Sequence, residues 1–386
     1  MVLTTSLLVG TGWLRSPPQA EAPVATASDA PPLPPAFPAP RCPNGGYWQA
    51  AGARIVDERG MEVVVKGLNW FGLETDAFAP FGLLTRRWTD ILDPVAALGF
   101  DALRLPFSNE LLDPGRPPPR ISAELNPDLA GLSGLEVLDK IVEGAGERCL
   151  KVILDRHRPD SRAQSALWYT DRYSEARWIA DWQALAARYL GNDTVIGFDL
   201  HNEPHGAATW GSGDPATDWR LAAERAGDAV LAVNPRLLII VQGVQEHGGR
   251  HYWWGGNLAG VREAPVRLSL PGRLVYSTHD YGPGVFNQPW FAGPAFPTNL
   301  EGIWDQFWGY LVREGTAPVF VGEFGGRSLG ADREGVWQRR LVAYLKRNRI
   351  GFAYWTLNPE SGDTGGLLLD DWLTLDQAKV ALLLSE

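Results

Sequence analysis

The chain has 386 residues and a mass of 42.3 kDa, with 35 Lys and Arg against 45 Asp and Glu and a formal charge of −10. At 45% hydrophobic and 21% charged it has a globular composition, and its acidic balance argues against a broad nucleic-acid or anionic-membrane face. Two Cys exclude a disulfide-rich scaffold and a four-Cys zinc site, whereas 17 Trp imply either a large core or a surface that stacks flat ligands.

Residues 1–45 stand apart. They hold ten of the 30 Pro, many Ala and few charges. That composition suits an extended linker. Leu7 to Leu14 is a short apolar stretch without a basic flank, and it reads as a degenerate secretory signal. It is too short to span a bilayer, which takes about 20 apolar residues.

A globular texture over 46–386 follows. Arg54 to Val65, with Glu58-Arg59-Gly60 inside it, reads as a small hairpin. Eight β-rich runs then recur: Glu62–Trp70, Ala102–Phe107, Lys151–His157, Val195–Glu203, Arg236–Gly243, Arg273–Tyr281, Pro318–Gly325 and Ile350–Asn358. Several are nearly continuous apolar runs, as Leu237 to Val241 is, which fits strands buried on both faces. Helical patterns fill the gaps. Residues 86–98 end at Gly99, residues after Ser174 place Ile179, Trp182, Leu185, Ala186 and Tyr189 on one face, and residues 218–233 end before Asn234-Pro235. Eight strand–helix units predict a parallel (β/α)8 TIM barrel, a single domain with the hairpin as its floor. An open doubly wound sheet is the alternative, but no G-x-G-x-x-G follows the first run.

In such a barrel the active site lies at the C-terminal ends of the strands. Polar residues end six of the eight runs: Arg104, Asp155-Arg156-His157, His201-Asn202-Glu203-Pro204, His279-Asp280-Tyr281, Gly322-Glu323-Phe324, and Trp355 with Asn358. Charged groups beside apolar strands are costly without partners, so this concentration predicts a site. Glu203 and Glu323, on the fourth and seventh runs, would face each other across the barrel mouth. Paired carboxylates suit glycoside hydrolysis, in which one carboxylic acid protonates the leaving oxygen and the other carboxylate supports the oxocarbenium-like centre. Asn202 and Glu203 are adjacent, so simple alternation would place them on opposite faces. If both serve the site, the chain must bulge or bend there.

Here the chain resembles glycoside hydrolase family five, a cellulase family of (β/α)8 barrels, and within it the secreted bacterial endo-β-1,4-glucanase catalytic domains. The resemblance rests on Gly67-Leu68-Asn69-Trp70-Phe71-Gly72, Arg104-Leu105-Pro106, Asp155-Arg156-His157-Arg158-Pro159, His201-Asn202-Glu203-Pro204, His279-Asp280-Tyr281, Gly322-Glu323-Phe324-Gly325, Trp355 and the stretch from Asn358 to Gly366. It implies Glu203 as acid/base and Glu323 as nucleophile of a retaining reaction. It also implies that Asn202 bonds the sugar 2-hydroxyl, that Arg104 and Tyr281 hold Glu323, that His279 contacts the acid/base, and that His157 binds the sugar. Trp355 would be the platform under that sugar, with a non-proline cis peptide after it. Gln242 departs from the family pattern, which has an acid there.

Further aromatic side chains in the loops after strands are candidates for stacking glucan rings. Trp70, Trp254 and Trp290 are the strongest, with Gln288 and Asp363 as edge contacts. Trp178, Trp182, Trp219, Trp304 and Trp337 lie in helical patterns and are expected to pack. Cys42 and Cys149 either pair in a disulfide closing a loop of about 107 residues, contributing at most ~4–5 kcal/mol, or stay reduced. The resemblance implies a β-glucan substrate, no cofactor and no metal, secretion, and a monomer without nucleic-acid or membrane partners. A mannanase or xyloglucanase on the same scaffold, and a non-catalytic glycan-binding protein, are the competing readings. A metal-dependent amidohydrolase barrel would want a His-x-His on the first run, which has no His.

Overall fold

The computed structural model describes residues 45–115 and 117–385. Chain order begins with a two-stranded antiparallel hairpin, β1 (Gln49–Ala51) and β2 (Arg54–Val56). The barrel units follow as β3 (Lys66–Asn69), α1 (Trp88–Ala97), β4 (Ala102–Ser108), α2 (Gly134–Glu147), β5 (Lys151–Arg158), α3 (Glu175–Arg188), β6 (Val195–Asp199), α4 (Trp219–Val233) and β7 (Leu238–Gln242). A small excursion carries β8 (Glu246–His247) and β9 (Arg250–His251). The chain closes with β10 (Leu274–His279), α5 (Leu300–Trp304), α6 (Tyr310–Arg313), β11 (Val319–Phe324), α7 (Arg333–Asn348), β12 (Gly351–Tyr354) and α8 (Gln377–Leu384).

Eight strands form a closed parallel barrel in the order β3-β4-β5-β6-β7-β10-β11-β12. Six lie within the predicted runs, and β4 and β5 outrun theirs by one residue each, Ser108 and Arg158. The polar residues past Asp199, Gln242, His279 and Tyr354 leave the ladder and become the loops of the barrel mouth. The Ser174 signal also holds, its side chain capping α3 by accepting the Arg177 N–H; the structure adds a reciprocal box of Ser133 and Glu136 at α2.

The predicted hairpin needs a shift. β1 and β2 pair over Gln49–Val56, ahead of the expected Arg54–Val65. The Asp57-to-Met61 turn then returns the chain to a single bridge, Val56 to Glu62. Asp57 makes that turn by accepting the Arg59 and Met61 N–H groups. The hairpin does floor the barrel. Ala50 donates to the Gly272 carbonyl before β10, and Arg54 donates to the Asn348 carbonyl at the end of α7. Trp48 and Ile55 cap an apolar layer of Val65, Ala102, Ile153, Ile196, Leu238, Ile240, Val275, Phe320 and Ala353 inside the barrel. A second core joins the outer strand faces to the helices. Trp178, Trp182, Trp219, Trp304 and Trp337 are buried there.

The leader, apart from Gly45, lies outside the described residues, and so does Cys42. Cys149, two residues before β5, has no free thiol. Among the described residues no helix is long and apolar enough to cross a membrane.

Candidate active site

Side chains two apart on a strand share a face. Above the apolar layer, the inward positions therefore become Asn69 after Gly67, Arg104 after Ala102, Asp155 and His157 after Ile153, Gln242 after Ile240, and Ser277 and His279 after Val275. This polar ring would be ruinous unpaired, and most of it is paired, with Ser277 Oγ and His279 Nε2 buried without a hydrogen-bond partner.

Arg104 is its centre. Its Nε donates to Asp199 Oδ2 at 3.0 Å, Nη1 to Asn69 Oδ1 at 2.9 Å and to Glu323 Oε1 at 2.7 Å, and Nη2 to Asn202 Oδ1 at 2.9 Å. Nη2 also pairs with Asp155 Oδ1 at 3.1 Å. Burial alone would lower the guanidinium's pKa, but Asp155, Asp199 and Glu323 outweigh it and hold Arg104 protonated. Burial pushes Asp155 up to about 7 and Asp199 up to about 6 against the pull of Arg104.

Both candidate carboxylates reach this ring by breaking strand alternation. In β11, Thr278 of β10 pairs with Val321 and His279 with Glu323, so Gly322 is an extra residue. This bulge turns Glu323 inward, although inward-facing Phe320 is three residues away. A side chain there would crowd the neighbouring strand: a Cβ would stand 2.7 Å from Ser277 Oγ and 3.1 Å from His279 Nε2. Glu203 uses another device. β6 ends at Asp199, and Glu203 takes a left-handed backbone with φ of 54°. Asn202 and Glu203 thereby both enter the site, as the sequence required.

Glu323 accepts from Arg104 through Oε1 and from the Tyr281 hydroxyl through Oε2 at 2.7 Å. Glu203 Oε1 lies 2.9 Å from His279 Nδ1, and its Oε2 accepts from Gln164 at 3.3 Å. Burial pushes the Glu203 carboxyl up to about 7, although Gln164, His205 and Arg104 pull it down. Burial likewise pushes His279 down to about 4 and His157 down to about 3, so both are neutral at neutral pH. An oxygen of Glu203 and an oxygen of Glu323 approach within 4.8 Å.

Those atoms, with His279, could ligate a cation only by competing with Arg104 and Tyr281 for Glu323, and the fixed positive charge of Arg104 opposes a second cation. The pattern is two sequestered carboxylates of unlike environment, Glu323 hydrogen-bonded to a cation and a phenol, and Glu203 to a neutral imidazole and an amide.

A family model described as "Cellulase (glycosyl hydrolase family 5)" matches residues 56–361. The chain belongs to glycosyl hydrolase family 5. It is 55% identical to an endoglucanase of Paenibacillus polymyxa over 88% of this chain and 86% of that one. It is 45% identical to the major extracellular endoglucanase of Xanthomonas campestris over 86% of this chain and 69% of that one. Among solved structures, the endocellulase of Pyrococcus horikoshii in complex with cellotetraose shares 42% identity. The match covers 89% of this chain and 99% of that chain, with a TM-score of 0.82.

For this family 5 member, the aromatic expectations divide. Trp355 is half-buried at the end of β12 and precedes a non-proline cis peptide to Thr356. Its ring lies nearly parallel to His157 at 12° and to Phe71 at 8°, with centroids 5.5 Å away in each case. Trp254 is 42% exposed and stacks on His205 at 3.8 Å. Half-buried Trp290 stacks on Tyr252 and meets Trp253 edge-on, and Trp253 in turn meets Tyr281 edge-on. Gln288 is half-buried at the start of the Pro289–Phe291 turn, and Asp363 is exposed in the loop after β12.

Trp70 is a correction. It is fully buried, and its indole N–H donates to the Phe81 carbonyl at 3.0 Å, so it cannot offer a face to a sugar. Inward Asn69 is followed by outward Trp70, and the next residue, Phe71, reaches Trp355. Trp168, Trp210 and Trp253 are also buried.

Sequence reasoning missed Asn69, Asp199 and Gln164. Asn69 and Asp199 carried a signal, being polar residues at the ends of apolar runs. Gln164 carried none, because only the fold of its loop brings it to Glu203.

Proposed function

We propose that this chain is an endo-β-1,4-glucanase that hydrolyses internal bonds of cellulose or related β-glucans with retention of configuration. The spacing of Glu203 and Glu323 carries this reading. Retaining enzymes hold their carboxyl groups about 5–5.5 Å apart, whereas inverting ones leave roughly 6.5–9.5 Å for a water. Oxygens within 4.8 Å fit the first arrangement.

Glu323, ionised beside Arg104, attacks the anomeric carbon. Glu203 carries a proton below about pH 7 and gives it to the leaving oxygen. Departure of that proton leaves Glu203 as the base that activates water, and water then releases the sugar from Glu323. Asn202 is 2.9 Å from Arg104 through its oxygen; its Nδ2 lies 3.4 Å from His157 Nε2 and keeps a second N–H for the sugar 2-hydroxyl. His157, fixed by Asp155 at 2.6 Å, borders the same ring position. Trp355 and Phe71 carry the ring that is attacked, and Trp254 on His205 carries the departing chain. His205 bonds the Glu203 carbonyl, so this second platform adjoins the proton donor.

The 55%-identical relative is an endoglucanase, and the Pyrococcus enzyme was solved with cellotetraose; both favour cellulose-type glucan over mannan or xyloglucan. The −10 charge is compatible with a neutral polymer. Secretion and a monomeric state belong to the same proposal; the Xanthomonas relative is extracellular. The test compares initial rates on carboxymethylcellulose, mannan and xyloglucan, with proton NMR of the first product anomer and with Glu203→Ala and Glu323→Ala as controls. Negligible cellulose activity, or an inverted first product, refutes the reading.

A further inference from the structure

Glu203 has an unusual backbone, and the structure shows what holds it. A left-handed non-glycine residue is strained and persists only where its surroundings enforce it. Its N–H donates to Gln242 Oε1 at 2.8 Å. The same side chain donates from Nε2 to both oxygens of Asp199, at 3.0 and 2.9 Å. These partners fix the amide orientation, since an N–H needs the oxygen and a carboxylate needs the nitrogen. Gln242 is fully buried, and its own carbonyl is pinned by the Trp219 indole at 2.8 Å. Gly255 closes the other side. A Cβ there would stand 2.4 Å from Gln242 Oε1 and 3.0 Å from Glu203 Cα.

Gln242 therefore touches two systems at once. Through Asp199 it meets Arg104, which holds Glu323. Through the Glu203 N–H it meets the residue that must aim a proton. We propose that Gln242 is a positioning residue for the acid/base: its amide locks the left-handed Glu203 backbone to the Asp199–Arg104–Glu323 network and so sets the distance between the two carboxylates. This rests on the assignment of Glu203 as acid/base. A misplacement of about 1 Å can cost a hundredfold in rate, so a flexible tether here would be felt in proton transfer before binding.

The test uses leaving groups that do and do not need a proton. Cellopentaose needs one; 2,4-dinitrophenyl β-cellobioside does not, because dinitrophenolate leaves unaided. Gln242→Met keeps the volume and removes the bonds to both partners, the Glu203 N–H and Asp199. Its kcat/KM on cellopentaose is expected to fall at least about tenfold, and on the dinitrophenyl glycoside less than about threefold. Glu203→Ala should show the same selectivity more strongly. Gln242→Glu keeps the acceptor oxygen and, when protonated, a donor for Asp199; it should recover most of the cellopentaose loss on the acid side of neutrality.

Equal losses on both substrates in Gln242→Met, or no loss, overturn the proposal while a selective Glu203→Ala leaves the reading of Glu203 standing. Equal losses in Glu203→Ala itself overturn that reading and the proposal with it. Failure of Gln242→Glu to recover activity at any pH overturns the hydrogen-bonding basis.

Discussion

Arg104 donates from Nη1 to Glu323 Oε1 at 2.7 Å, and the two side chains are 0% and 4% exposed. A cation so buried is held by its carboxylates, and they are held by it. Removing one partner of such a pair leaves uncompensated charge and typically costs about 3–5 kcal/mol. Arg104→Met is therefore expected to lower unfolding free energy in urea by about that much at pH 7. It should also abolish hydrolysis. Arg104→Lys should retain more stability than activity, because an ammonium cannot reach Asn69, Asp199, Asn202 and Glu323 together.

Tyr281→Phe isolates the other bond to Glu323. The hydroxyl donates to Oε2 at 2.7 Å. A hydrogen bond to a charged group contributes about 1.5–3 kcal/mol, so kcat should fall roughly ten- to 150-fold. The melting temperature should fall by no more than several degrees, because one bond to a buried carboxylate is lost while the ring still packs against Trp253. Loss of folding in place of rate would contradict this.

Glu203 gives the pH profile. Burial raises its folded-state pKa to about 7. In the proposed mechanism the acid form is the proton donor, so kcat/KM is expected to decline above about pH 7. The same shift opposes stability at high pH. A carboxyl with a raised folded pKa contributes its stability below the unfolded value near 4.5 and loses it as pH rises through about 7. Glu203→Gln should thus be inactive on cello-oligosaccharides yet gain stability at pH 8, by up to about 3 kcal/mol, with less gain at pH 4. Thermal melts at the two pH values measure the difference; an equal effect at both would dismiss it.

Trp254 and Trp70 should behave oppositely. Trp254 is exposed on His205, and Trp254→Ala should raise KM for cellopentaose roughly five- to thirtyfold with stability nearly unchanged. Trp70 is fully buried, and Trp70→Ala should cost about 3–5 kcal/mol of stability. Isothermal titration with the inactive Glu323→Ala background separates binding from folding.

Much of this was legible in the chain. Apolar runs long enough to be strands, capped helices between them and polar residues at the run ends suffice to place a site at a barrel mouth. Ser174 announces α3, and Arg104, His279 and Tyr281 stand near the carboxylates the motifs imply. Trp70 shows where such reading stops. Its position after a strand suited a platform, but facing depends on which side of the barrel wall the chain turns, and Trp70 turns toward the core while Phe71 reaches the site.

The sequence by itself determined the period of strand and helix and the acidic balance, and it singled out two run-end carboxylates among 45 acidic residues. Those are properties of local pattern and composition, and 17 Trp remained an undivided excess. Tertiary structure alone decided which Trp are buried and which face the mouth. It also decided that Glu203 and Glu323 meet. Each must leave strand alternation to do so, one by a left-handed backbone and one by the bulge at Gly322, and such breaks are stabilised by partners far away in sequence: Gln242 for the first, the close-packed wall of Ser277 and His279 for the second.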